Sequence, residues 1–144
     1  MTVDPALVTR KLMLILADLD ALRTIAEKGA AAYVGDRINQ AVVERYLERA
    51  IGRMIDVNFH VITGVGSPPS TDDHASFLKL ADLGVLEGDF ARQIARAAGL
   101  RNRLVHDYDE VDPRRVFEGL EAALREVPVY ASRVNAYLSA AGAT

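Results

Sequence analysis

Cysteine is absent from the 144 residues, which excludes disulfides, a thiolate metal site and a cysteine nucleophile. Histidine is scarce, with only His60, His74 and His106, so a histidine-rich metal centre is not expected. No apolar run approaches the roughly 20 residues that span a bilayer. The most apolar early stretch, Leu12 to Leu16, is soon followed by Asp18 and Asp20. The charged, apolar, small-residue order of a signal peptide is missing too, so a soluble, cytoplasmic protein is expected. Low-complexity tracts, internal repeats and linker-like composition are also lacking. Sustained apolar–polar alternation, the mark of a half-buried strand, is nowhere found, so no sheet is expected.

What is present is a chain that is half hydrophobic, enough for one domain over residues 1–144 with one substantial core. Its formal charge of −3 argues against non-specific nucleic-acid binding over the whole surface. The bases are uneven, however. Residues 91 to 106 hold Arg92, Arg96, Arg101 and Arg103 and no acid.

Helix signals punctuate the chain. Asp4-Pro5 caps and opens a first helix with Leu12, Ile15, Leu16, Leu19 and Leu22 at helical spacing, and Gly29 closes it. A second should run from about Asp36 to Ile62, followed by a Gly/Pro-rich loop over Thr63 to Thr71. Ser70 and Asp73 have capping-box spacing for a short third helix that Gly84 stops. A fourth runs from about Gly88 to His106. A fifth opens on Asp112-Pro113, and Pro128 within it should introduce a kink. The expected architecture is an all-α antiparallel bundle of about five helices.

The end of the fourth helix carries the chemistry. At about 100° per residue, Arg101 and Tyr108 fall on nearly one face, and Asn102 and His106 are neighbours one turn apart. His106 is turned aside from Arg101 by an angle that a long arginine can bridge. A guanidinium, an imidazole, an amide and a phenol then suit phosphodiester cleavage in RNA. Histidine moves protons near neutral pH, and arginine offsets charge growing on phosphate oxygens. RNA supplies its own nucleophile in the 2′-OH, so neither a metal nor a cofactor is needed. On spacing alone, an Arg and a His near a helix end are more commonly a solvated basic cap that favours the helix dipole.

The stretch Arg101-Asn-Arg-Leu-Val-His106-Asp-Tyr108 resembles the Arg-x4-His-x-Tyr signature of HepT-like HEPN toxins. The surroundings are similar as well: Ala41 to Leu47, Asp56 to His60 and Phe77 to Gly84, with the likeness covering roughly residues 5 to 140. The resemblance implies a homodimer that sets two motifs in one cleft, with Arg101 and His106 cleaving RNA. It also implies a nucleotidyltransferase antitoxin that attaches AMP to Tyr108. Asn102 would then orient His106 or the substrate. The alternative function is a non-catalytic module that binds nucleotide or the nucleotidyltransferase.

Other residues admit two readings. Arg92 and Arg96 fit either guidance of RNA phosphates or pairing with Asp89 and Glu87. Arg103, a further substrate-binding candidate with Arg96, equally fits a subunit contact, an antitoxin contact or plain surface. Asp56 and His60, four apart, are favoured as a structural pair over a metal site, since no third ligand is apparent. His74 is expected to be solvated. Gly99 inside a helix suggests close approach of two backbones, within a chain or across a dimer axis.

Overall fold

The computed structural model describes residues 2–106 and 111–142. Among these residues all regular structure is helical: α1 (Pro5–Glu27), α2 (Ala30–Val34), α3 (Arg37–Gly64), α4 (Asp73–Asp82), α5 (Gly88–Ile94), α6 (Arg96–His106) and α7 (Pro113–Gly142). No helix among them is long and apolar enough to cross a membrane. The Asp-Pro openings behave as the sequence suggests. The Asp4 carboxylate accepts from the Ala6 and Leu7 amides, and the Asp112 carboxylate accepts from the Arg114 amide. Gly29 and Gly84 adopt the left-handed conformation at φ +88 and +80, which spares a side chain the steric cost of those turns.

The expected count of about five helices becomes seven segments for two reasons. A single turn, α2, follows Gly29, and Gln40 closes its end by donating to the Tyr33 and Val34 carbonyls. The expected fourth helix is broken at Ala95 into α5 and α6. No glycine or proline marks this joint. Ile94 and Ala95 are both buried there, and the Ala98 amide reaches only three residues back, to the Ala95 carbonyl. A third difference is local. Asp72, rather than Ser70, caps α4 by accepting from the Ala75 amide. Pro128 lies inside α7, which continues through it as one element.

Packing follows from the apolar faces. α1 lies along α3 and α7, and α4 and α6 lie against α3. One cluster of buried side chains, including Leu12, Leu19, Leu47, Met54, Phe77 and Val134, runs through all of them. Two features tie the bundle beyond apolar burial. Buried Asp18 on α1 accepts from Arg49 Nε at 3.0 Å and Nη2 at 2.6 Å, and from Arg53 Nη1 at 2.7 Å, joining α1 to α3. Between α7, α3 and α4 the Tyr130 hydroxyl meets Asn58 Oδ1 at 2.5 Å. Asn58 Nδ2 donates to Ser76 Oγ at 3.0 Å, and Ser76 Oγ donates to the Asp73 carbonyl at 2.6 Å. A buried polar chain of this kind fixes orientation because any member left unpaired is costly. It ends on the first residue of α4, beside the candidate site.

Candidate active site

Helix α6 presents different chemistry on each side because its apolar residues sort it. Ala98, Leu100 and Leu104 are buried, which turns Asn102, Arg103 and His106 outward and leaves Arg101 half-buried. Asn102 and His106 lie one turn apart on the exposed side. Arg101 runs the other way, across α3. A Cβ built on Gly52 would stand 3.2 Å from Arg101 Nε, 3.6 Å from Nη2 and 3.7 Å from Cζ, so the guanidinium lies directly on that glycine. Its Nη1 reaches to 3.9 Å from the Asp73 carboxylate, at the N-terminal end of α4. Arg101 Nε is buried without a hydrogen-bond partner among the described residues. Within one chain, therefore, Arg101 and His106 lie about 140° apart around α6, the first half-buried toward Asp73 and the second exposed, and no hydrogen bond joins them among the described residues. Tyr108 lies outside the described residues.

The flanking arginines separate as well. Arg92 pairs with Asp89, and Glu87 pairs with Arg133 at 3.5 Å. Arg96 is exposed and lies with Arg103 along a groove of about 540 Å³ between α6 and α7. Gly99 is exposed; a Cβ there would meet nothing closer than Arg103 Nη1 at 3.8 Å, so the expectation of close packing within the chain fails. Close approach occurs at Gly119 instead, where a Cβ would stand 2.5 Å from Leu100 Cδ2 and so sets the α6–α7 contact.

Asp56 and His60 do not pair with each other. Asp56 faces Lys11 at 3.5 Å, and His60 Nε2 accepts from the Asp4 amide at 3.0 Å. Both therefore hold the start of α1 to α3, a structural use by different partners from those expected. His74 is exposed. Among the described residues no group of three His, Cys, Asp or Glu side chains is placed to hold a metal ion.

Gly52, Arg115 and Arg125 escaped the sequence reading, and Asp73 entered it only as part of a capping box. Gly52 left a trace, because glycine inside a helix costs about 1 kcal/mol and calls for a reason. The other three lie on helices other than the motif's own and reach its surroundings through helix packing.

An all-α bundle with one basic helix on its side has counterparts among known proteins. The family described as "Ribonuclease HepT-like" matches residues 15–134. The tRNA nuclease HepT of Aphanizomenon flos-aquae is 34% identical over 136 residues, covering 94% of this chain and 92% of that protein. The chain belongs to the HepT-like ribonuclease family. Solved structures agree on the fold at low identity. The cytosolic protein YutE of Bacillus subtilis superposes with a TM-score of 0.83 at 16% identity, over 96% of this chain and 93% of its own. The tri-AMPylated HEPN toxin of Shewanella oneidensis, solved with its MNT antitoxin, gives 0.80 at 20% identity, over 90% of this chain and 96% of its own.

Proposed function

We propose that this chain is a metal-independent endoribonuclease toxin of a toxin–antitoxin pair, a single HepT-like domain that works in the cytoplasm as a homodimer with two Arg101–His106 motifs facing one cleft. The observation that carries the reading is the exposed Asn102–His106 pair on α6, the helix that also bears Arg101, in a chain of this family. In the cleavage step the RNA 2′-OH loses its proton to His106 of one subunit and forms a bond to phosphorus. The P–O5′ bond breaks, and the 5′ oxygen takes a proton from His106 of the other subunit. Arg101 offsets the charge on the non-bridging oxygens, and Asn102 orients His106 or the substrate. Arg96 and Arg103 bind the RNA backbone. The divergence of Arg101 and His106 within a chain supports a site completed by a second copy. The name of the Aphanizomenon relative makes transfer RNA the substrate to test first.

An MNT-type nucleotidyltransferase is the proposed antitoxin, attaching AMP to Tyr108. The solved AMPylated toxin with its MNT partner supports this part. The test is expression of the wild type, His106→Ala and Arg101→Ala with and without an MNT-type nucleotidyltransferase. Growth arrest and loss of transfer RNA are expected from the wild type alone. Each variant should cleave about 100-fold or more slowly, the usual worth of a proton-transfer group or a charge-stabilising donor. Equal toxicity of His106→Ala and the wild type would sink the mechanism. A monomer by light scattering at micromolar protein would sink the shared cleft.

A further inference from the structure

The groove between α6 and α7 has two charged edges and an apolar floor. Arg96 and Arg103 lie along the α6 edge, seven residues and so about 10.5 Å apart. Arg115 and Arg125 line the α7 side, and the buried side chains of Ile51 and Met54 close the bottom. No side chain of these four arginines makes an ion pair or hydrogen bond among the described residues, whereas Arg49, Arg53, Arg92 and Arg133 are all paired. Two carboxylates share the groove, Glu118 and Glu126, and Glu126 is already engaged by Gln93 at 2.8 Å. Four cations against two anions give a positive channel in a chain of net charge −3. A neighbouring depression of about 280 Å³ also lined by Leu100, Arg103 and Arg115 adds Leu104, Val111 and Asp112, whose carboxylate accepts from the Arg114 amide, and extends the channel toward the end of α6 that bears His106.

We propose that this groove binds the sugar–phosphate backbone of the RNA strand leading away from the cleavage site, with Arg115 and Arg125 of α7 as contacts beyond those of α6. Charge complementarity carries the choice of occupant. Guanidiniums on both edges with no ion pair among the described residues suit a polyanion threaded lengthwise, and phosphate contacts position a strand without reading its sequence. The apolar floor suits the faces of ribose and base. The inference rests on the ribonuclease reading above but assigns a binding surface which that reading does not require.

The experiment uses the full chain and two readouts. Binding of fluorescently labelled oligouridylate is followed against salt in a His106→Ala background, so that the probe stays intact. Cleavage of the same RNA is followed in the wild-type background. Arg115→Ala with Arg125→Ala should weaken binding about tenfold and flatten the plot of log affinity against log salt by about 1.4, near 0.7 for each lost contact with a single strand. In cleavage the loss should fall on KM, with kcat retained. Arg115→Lys should restore most of the binding, since phosphate accepts a point charge. Glu118→Gln should bind more tightly than its parent, and Arg23→Ala on α1 should change nothing.

An unchanged affinity and salt slope in the double variant, while the wild type still cleaves and His106→Ala does not, would overturn the groove and leave the ribonuclease reading standing. A double variant that turns monomeric with its salt slope intact would assign the groove to a protein partner and overturn it equally. Loss of the ribonuclease reading itself would show as a wild type that does not cleave, a result the binding plot cannot imitate.

Discussion

Replacing Gly52 with alanine separates stability from activity in a way the structure allows to be worked out. The new Cβ would stand 3.2 Å from Arg101 Nε and 3.6 Å from Nη2, tighter than ordinary contact by a few tenths of an ångström. Arg101 is the movable partner, because among the described residues its terminal Nη1 is held only by Asp73 at 3.9 Å. The backbone of α3 need not shift, and alanine within a helix is favoured over glycine by about 1 kcal/mol. For a chain of this size that gain raises Tm by about 2–5 °C, less whatever the displaced arginine costs. The guanidinium itself must slide off its seat, and on the role proposed for Arg101 a misplacement of about 1 Å can cost about 100-fold. A shift of a few tenths should therefore lower kcat by about tenfold in single-turnover RNA cleavage, with melting temperature unchanged or higher. The control is a double-mutant cycle: in an Arg101→Ala background Gly52→Ala should have no further effect on rate. A Gly52→Ala protein with full kcat would refute the seat. Equal losses in both backgrounds would show that the glycine acts on something other than Arg101.

Two further predictions concern the frame. Asp18→Asn should destabilise by about 2 kcal/mol in urea unfolding, because Arg49 and Arg53 lose the carboxylate they share and both remain partly buried; unchanged stability would mean that apolar burial alone joins α1 to α3. Glu44 supplies a pH dependence. Burial raises its pKa above the ordinary 4.5. Since the folded-state value is the higher one, its contribution to stability is present below 4.5 and is lost as pH rises through the raised value. Glu44→Gln should remove that fall and leave the protein more stable than its parent at neutral pH, read from unfolding midpoints across the acidic to neutral range. A variant that follows the parent's pH curve would count against it.

Much of the fold was legible because helix signals are local. The Asp-Pro pairs at residues 4–5 and 112–113 carry their own caps, Gly29 and Gly84 supply turns that few other residues enter cheaply, and apolar spacing marks the buried faces of α1, α3 and α7. The basic character of α6 and its Arg101–His106 spacing were equally readable, since they need only the helical period. Tertiary packing decided what period and propensity leave free. Ala95 is as good a helix former as its neighbours, yet the chain breaks there because Ile94 and Ala95 must both enter the core while α5 lies on α4 and α6 on α3. Arg101 turns toward Gly52 and Asp73 because at Gly52 α3 offers a surface without a side chain, and no spacing rule shows which glycine of a distant helix that will be. The same holds for Arg115 and Arg125. A sequence shows them as surface arginines of the last helix; the lack of a Cβ at Gly119, where one would stand 2.5 Å from Leu100 Cδ2, lets their helix close on α6 and makes them one wall of a groove. Local backbone chemistry thus settles where helices start and stop, and contacts between residues far apart in the chain settle which side chains meet.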